Sequence, residues 1–254
     1  MSSISATHQG EGPVILLLHG YPFHRGLWDE FIPLLSAKHH VVAIDLPGFG
    51  SSTGLEGTFG IPQVADTLIK FIRQSKLEQI HIVGHSLGGY IALEMVRKEP
   101  VLFESLTLLH STAYADTDEK KESRVKVVEF IKKNGPEPFT TGFIDPLFAN
   151  PKHPSINKVR EIASAASAEA IIGYSLAMKD RSEQLKTLEI FENPTMFIAG
   201  EKDPGIPIDS IRKQALHSQK PQIEILAEVA HMGMFEKPAE TAHKIADFVA
   251  KSHA

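Results

Sequence analysis

The stretch Ile80-His-Ile-Val-Gly-His-Ser-Leu-Gly-Gly-Tyr90 decides the fold. Ile80 to Val83 reads as a short apolar strand, Gly84-His-Ser-Leu-Gly88 as a tight turn, and the segment from Leu87 to Glu99 as a helix. A sharp strand-to-helix turn with a strained central residue leaves no room for side chains two positions away, so Gly84 and Gly88 allow Ser86 to project its hydroxyl. The following helix aims its amino terminus at the same spot, where negative charge is stabilised. The pattern Gly-x-Ser-x-Gly alone is weak, and an ordinary glycine-rich turn is its plain alternative. Strand and helix on either side turn it into the context of a nucleophile elbow.

Working outward, five more apolar runs read as strands: Val14 to Leu18, Val41 to Ile44, Leu106 to Leu109, Thr195 to Ala199 and Ile223 to Leu226. Most are continuously apolar, as suits central strands of a parallel sheet covered on both faces. Helical segments are expected at Trp28 to Ala37, Pro62 to Gln74, Ile208 to Ser218 and Pro238 to Ala250. In the last, Ala242, Ile245, Ala246 and Val249 form one apolar stripe, and Pro238 suits a first helical position. Strand and helix alternate, so the fold class is α/β, a mostly parallel, doubly wound sheet. Residues 1–111 and 192–254 form this core. Thr112 to Phe191, roughly 80 residues without a convincing strand, is too long for a connection and is expected to form a helical cap. Helical character is visible from Arg124 to Lys133 and from Ile156 to Met178, and the charged cluster Asp116 to Lys126 reads as a solvated helix start.

A serine hydroxyl is a poor nucleophile without a base in hydrogen-bond reach and an acid to orient that base. Asp203 follows the strand ending at Ala199, and His231 follows the strand ending at Leu226. The carboxyl ends of parallel strands gather on one edge, so Ser86, Asp203 and His231 can converge there. Among thirteen histidines, His243 lies in an amphipathic helix and His217 near a helix end, both read as solvent-facing. Glu201 and Asp209 are the rival acids. For the oxyanion, one backbone donor is the Leu87 amide. The other is expected from the His19-Gly-Tyr-Pro22 loop, where Gly20 permits close approach and Tyr21 has the amide hydrogen that Pro22 lacks. His19 reads as a structural hydrogen-bonding residue.

Composition narrows the partners. The 254 residues carry 26 Lys plus Arg against 31 Asp plus Glu, a formal net charge of −5, and no basic stripe, so nucleic acid is not an expected partner. The longest apolar run is too short to cross a bilayer, and the amino terminus lacks a signal-peptide pattern, which predicts a soluble, unprocessed, cytoplasmic chain with no membrane partner. The absence of cysteine removes disulfides, thiolate metal sites and a Cys nucleophile. Neither a metal nor a cofactor is expected, and the chain is read as a monomer or homodimer.

His19-Gly-Tyr-Pro22, Asp45-Leu-Pro-Gly-Phe-Gly-Ser51, Gly84-His-Ser-Leu-Gly-Gly89, Gly200-Glu-Lys-Asp203 and Ala230-His231 together resemble the α/β-hydrolase superfamily, in family order and over nearly the whole chain. The resemblance implies a triad of Ser86, His231 and Asp203, an oxyanion hole from the Tyr21 and Leu87 amides, and a cap over the pocket. The segment Asp45 to Ser51 is expected to shape a turn. The family usually opens with a pair of strands before the one ending in His-Gly, yet only about a dozen residues precede Val14, so an edge strand is expected to be short or missing.

Serine at 86 argues against the epoxide hydrolases and haloalkane dehalogenases, which are similar but use aspartate. Tyr174 to Arg181 resembles small carboxylesterases and enol-lactonases, Pro22 is shared with perhydrolases, and Met232 stands where carbon–carbon hydrolases often carry Trp. The expected activity is hydrolysis of a carboxylic ester or lactone of a small, largely apolar substrate, with Tyr21, Phe23, Trp28, Phe139, Phe143, Met178 and Met232 as candidate pocket walls. A same-fold receptor, an elimination or carbon–carbon bond-cleaving enzyme, and a perhydrolase side activity remain alternatives, because fold does not fix function.

Overall fold

Val14–Leu18 is five consecutive apolar residues, and all five are buried. This strand, β2, therefore lies inside the sheet of the computed structural model, which describes residues 3–252. It pairs in parallel with β3 (His40–Ile44) on one side and β4 (Ile80–His85) on the other. Parallel pairing continues through β5 (Phe103–Leu109), β6 (Thr195–Gly200) and β7 (Pro221–Leu226). The antiparallel edge strand β1 (Ala6–Gln9) completes a seven-stranded sheet of order β1-β3-β2-β4-β5-β6-β7.

The chain leaves β2 for β3 on one side and then crosses to β4 on the other. That reversal opens a crevice beyond the carboxyl ends of β2 and β4, the place where open α/β sheets bind ligands. Gly20 and Ser86 sit at those two ends. The short edge strand matches the brief segment before Val14. β1 has no apolar run to announce it, since its residues are partly or fully exposed and only its backbone is recruited to β3. At the other edge, β7 is half-exposed, and Glu224 pairs with Lys244 at 2.6 Å.

Helices cover both faces of the sheet, and the buried side chains separate into two clusters, one on each side. After the short α1 (Ile32–Leu35) come α2 (Ile61–Gln74) and α3 (Leu87–Lys98), the latter packed on β4 and β5. Between β5 and β6 the described residues hold five helices and no strand: α4 (Asp118–Asn134), α5 (Glu137–Phe143), α6 (Ile156–Ser164), α7 (Ala168–Lys179) and α8 (Leu185–Ile190). The span read as one helix from Ile156 to Met178 is broken at Ala165-Ala-Ser167, where Ser167 caps α7 by accepting from the Ala170 amide. The chain closes with α9 (Ile208–Ala215), α10 (Gly233–Glu236) and α11 (Pro238–Ser252). In α11, Ala242, Ile245 and Val249 are buried, as the sequence stripe requires, together with Phe248. No helix among the described residues is long and apolar enough to cross a membrane.

One reading needs correction. Asp116, taken as part of a solvated helix start, is buried and accepts from Arg181 Nη1 at 2.7 Å and Arg124 Nε at 3.2 Å. Arg181 also donates to the Met178 and Tyr114 carbonyls and lies 3.9 Å above the Tyr90 ring. The approach to α4, the end of α7 and the core helix α3 are thereby fastened at one charged knot. Removing the acid from such a knot leaves a buried guanidinium uncompensated, which costs about 3–5 kcal/mol. Asp116→Ala is expected to lower stability by about that amount in urea denaturation, whereas a loss within 0.5 kcal/mol, the range of ordinary surface changes, would contradict this anchoring role.

Candidate active site

Ser86 stands between β4 and α3 with φ 52° and ψ −115°. A non-glycine residue with positive φ carries strain that surrounding structure must hold in place. Here the Ser86 amide donates to the Leu109 carbonyl at 3.0 Å, extending the β4–β5 pairing, while its own carbonyl accepts from the Gly89 amide and Ser111 Oγ. Close approach explains the glycines: a Cβ on Gly84 would lie 2.4 Å from the Gly88 carbonyl oxygen, and one on Gly88 would lie 2.3 Å from that of Leu18. A Cβ on Gly20 would stand 3.2 Å from the Ser86 Cβ, so the loop after β2 reaches the serine as expected.

His231 Nδ1 and Asp203 Oδ2 are 2.7 Å apart. The shared proton lies on Nδ1, which leaves Nε2 of the ring as an acceptor. Asp203 Oδ1 accepts from the amides of Gly205 and Ile206, so both carboxylate oxygens are engaged. Burial alone would raise this carboxyl, but the neighbouring His231, through its electrostatics and its hydrogen bond, and the nearby His110 outweigh it and hold Asp203 ionised, well below the usual range. The His231 backbone is itself fixed, its amide donating to the Leu147 carbonyl and its carbonyl accepting from His85 Nε2 at 3.0 Å.

Ser86, Asp203 and His231 line one cavity of about 500 Å³. Its other walls include Tyr21, Tyr90, Phe139, Phe143, Leu147, Met178 and one face of α4. Tyr21, Phe139, Phe143 and Met178 therefore lie where the sequence reading put them. Phe23, Trp28 and Met232 do not. They are essentially inaccessible and pack in the core cluster that also holds Ile15 and Leu17, because the chain turns inward beneath the pocket floor. Tyr21 directs its hydroxyl at Ser175 Oγ, 2.9 Å away, and burial pushes its phenol up to about 12. Among the described residues, neither the Tyr21 nor the Leu87 amide donates to a protein acceptor. A larger cavity, about 790 Å³, lies on the far side of Tyr90 and Arg181 and includes neither Ser86 nor His231 in its wall.

The rival residues lie elsewhere. His243 and Asp209 are largely exposed, His217 pairs with Glu189, and Glu201 accepts from the Glu228 amide. His19 is buried and structural: Nδ1 donates to the Gly20 carbonyl, while Nε2 accepts from the Leu46 amide and joins the ends of β2 and β3. Asp45 accepts from the Ser51 and Arg25 amides, closing the expected turn.

Two further histidines lie at the site. His85 precedes Ser86 in the turn, and His110 follows β5 at φ 48°. The Gly233 amide donates to His110 Nε2 at 3.1 Å, so the proton sits on Nδ1, which faces Asp203 Oδ2 across 3.6 Å. That contact is too long for a strong hydrogen bond and acts as an electrostatic one. The ligand-capable atoms of His110, Asp203 and His231 lie within 4.8 Å of one another. Both imidazole nitrogens facing the carboxylate carry protons, however, so the donor set fits proton positioning and does not fit a cation.

With this geometry in view, the sequence matches the model of the alpha/beta hydrolase fold family over residues 13–238. The chain belongs to that family. The chain is 39% identical over 107 residues to the pimeloyl-[acyl-carrier protein] methyl ester esterase of Methylococcus capsulatus, across 41% of this chain and 39% of that protein. It is 24% identical to 3-oxoadipate enol-lactonase 1 of Acinetobacter baylyi, across 97% of this chain and 92% of the other. The chain spans 39% and 65% of the length of the first two curated relatives it matches. A thermophilic esterase from Thermogutta terrifontis, solved with malate bound, superimposes with a TM-score of 0.93 at 26% identity, covering 99% of this chain and 94% of that one.

The buried histidines set a pH dependence. Burial lowers the pKa of His85, His110 and His19, the last to about 4 from 6.5. The unfolded chain therefore binds protons that the native state refuses. The stability contributed by these groups is complete above about 6.5 and is lost as pH falls below it. Asp203 acts in the same sense at lower pH, its contribution present above the ordinary carboxylate pKa and lost beneath it. The urea midpoint is expected to fall between pH 7 and pH 5 with proton uptake on unfolding, and a flat midpoint would contradict the neutral, buried state of these rings.

Proposed function

We propose that the chain is a serine hydrolase that cleaves a carboxylic ester or lactone of a small substrate through Ser86, His231 and Asp203. One observation carries this reading: a serine strained into its turn and a carboxylate-oriented histidine open onto the same cavity. The methyl ester esterase, the enol-lactonase and the thermophilic esterase among its relatives agree with it.

His231 Nε2 takes the Ser86 proton as Oγ attacks the carbonyl carbon, and Asp203 stabilises the imidazolium that forms. The Tyr21 and Leu87 amides, free of protein acceptors, receive the developing oxyanion, assisted by the amino terminus of α3. The imidazolium then protonates the leaving alcohol. Water, deprotonated by His231, attacks the acyl-enzyme and releases the acid and Ser86. His110 is a positioning residue in this scheme, a second donor facing Asp203 from β5. The inserted segment Thr112 to Phe191 acts as a cap, contributing Phe139, Phe143 and Met178 to the cavity wall.

Hydrolysis of p-nitrophenyl acetate, butyrate and octanoate near pH 8 tests the reading. Wild-type turnover is expected to fall by about three to six orders of magnitude in Ser86→Ala. Turnover surviving in the mutant, or absent from folded wild-type protein, would refute the serine-hydrolase assignment and shift weight to a receptor or lyase.

A further inference from the structure

The chemistry above leaves one face of α4 without a role. Lys120, Ser123, Arg124 and Val127 fall at helical spacing i, i+3, i+4 and i+7, and all four line the cavity that holds Ser86 and His231. Two of these side chains are cations, and the acids around them do not neutralise both.

Among the described residues, the only carboxylate in the cavity wall is Asp203, both of whose oxygens are engaged. Behind the wall, Asp116 is shared by Arg181 and Arg124, so this trio keeps one formal positive charge. Arg181 is inside, its side chain 5% exposed, with donors given to Asp116, Met178 and Tyr114. Arg124 gives Nε to Asp116, while neither of its Nη groups has a protein acceptor among the described residues. Among the described residues, Lys120 Nζ donates to the Gly205 carbonyl, at 3.2 Å, and has no carboxylate partner. The positive charge therefore collects on the cavity side of α4. Val127, Phe139, Phe143, Leu147 and Met178 give the wall an apolar stretch beside this charge.

We propose that this site takes esters or lactones that carry a carboxylate at the end remote from the scissile bond, with Arg124 and Lys120 receiving that carboxylate while the apolar walls enclose the intervening chain. The inference rests on the hydrolase reading and narrows it to a substrate class. A guanidinium presents two parallel N–H groups to a planar carboxylate, and desolvation of Arg124 by the cap strengthens the contact. A charge-assisted hydrogen bond in such a setting is worth roughly tenfold to a hundredfold in binding.

The test compares methyl half-esters of succinate, glutarate and adipate with the corresponding dimethyl diesters, in which a neutral methyl ester replaces the remote carboxylate, with the initial rate of methanol release per scissile ester as the readout. The wild type is expected to favour at least one half-ester over its diester by about tenfold or more in kcat/KM. That ratio should fall toward one in Arg124→Gln and in Lys120→Met, and also on raising the salt concentration. Because it is a ratio within one protein, a general loss of folded enzyme does not move it. Diester turnover with a ratio at or below one throughout would overturn the charge proposal and leave the esterase reading standing. If neither ester is turned over, binding to Ser86→Ala followed by NMR separates the two: half-ester binding that Arg124→Gln weakens supports the carboxylate site, and equal or absent binding overturns it.

Discussion

The backbone at Ser86 is the constraint on which the rest of the site depends. A serine at φ 52° is unfavourable on its own and is held by the Leu109, Gly89 and Ser111 contacts, with Gly84 and Gly88 clearing the space it needs. That turn can exist only where a strand and a helix meet inside a packed sheet. It follows that β2 and β4 must be central, that the loop after β2 must come within van der Waals reach, and that the crevice must open at their carboxyl ends. The strain is local, and the burial of β2, β4 and most of α3 offsets it.

Around this turn the electrostatics divide into an interior that holds protons in place and a rim that holds charge. Inside, Asp203 stays ionised despite its burial because two imidazole N–H groups and two backbone amides face it. Burial disfavours the charged form of the neighbouring His85 and His110 rings; His85 holds the His231 backbone through a hydrogen bond, and His110 faces Asp203 electrostatically. At the rim, the Asp116 knot fastens the inserted helices and turns an arginine toward the cavity. One buried carboxylate thus serves both attachment and polarity of the pocket.

Much of this was legible in the sequence because the informative residues obey local rules. Continuous apolar runs mark central strands, and the glycines flanking Ser86 mark the turn, independent of tertiary context. β1 has no such mark because an edge strand joins by its backbone and His8 and Gln9 are exposed. Phe23, Trp28 and Met232 were misplaced for a related reason: chain proximity to the site does not say which way a side chain turns, and these turn into the core. Asp116 looked solvated because its partner Arg181 is 65 residues away, a distance over which no local pattern operates. His110 gave a faint signal, since it follows a strand end on the same edge as Ser86.

The claim most open to direct test is that Ser86 is activated by the His231–Asp203 pair. Incubation with a fluorophosphonate, followed by intact-mass and peptide analysis, reports this without knowledge of the substrate. The account predicts a single covalent adduct on Ser86, formed rapidly in the wild type and slowed by at least about a hundredfold in His231→Ala. An unlabelled but folded wild-type protein, or labelling at Ser86 that proceeds equally fast without His231, would contradict it.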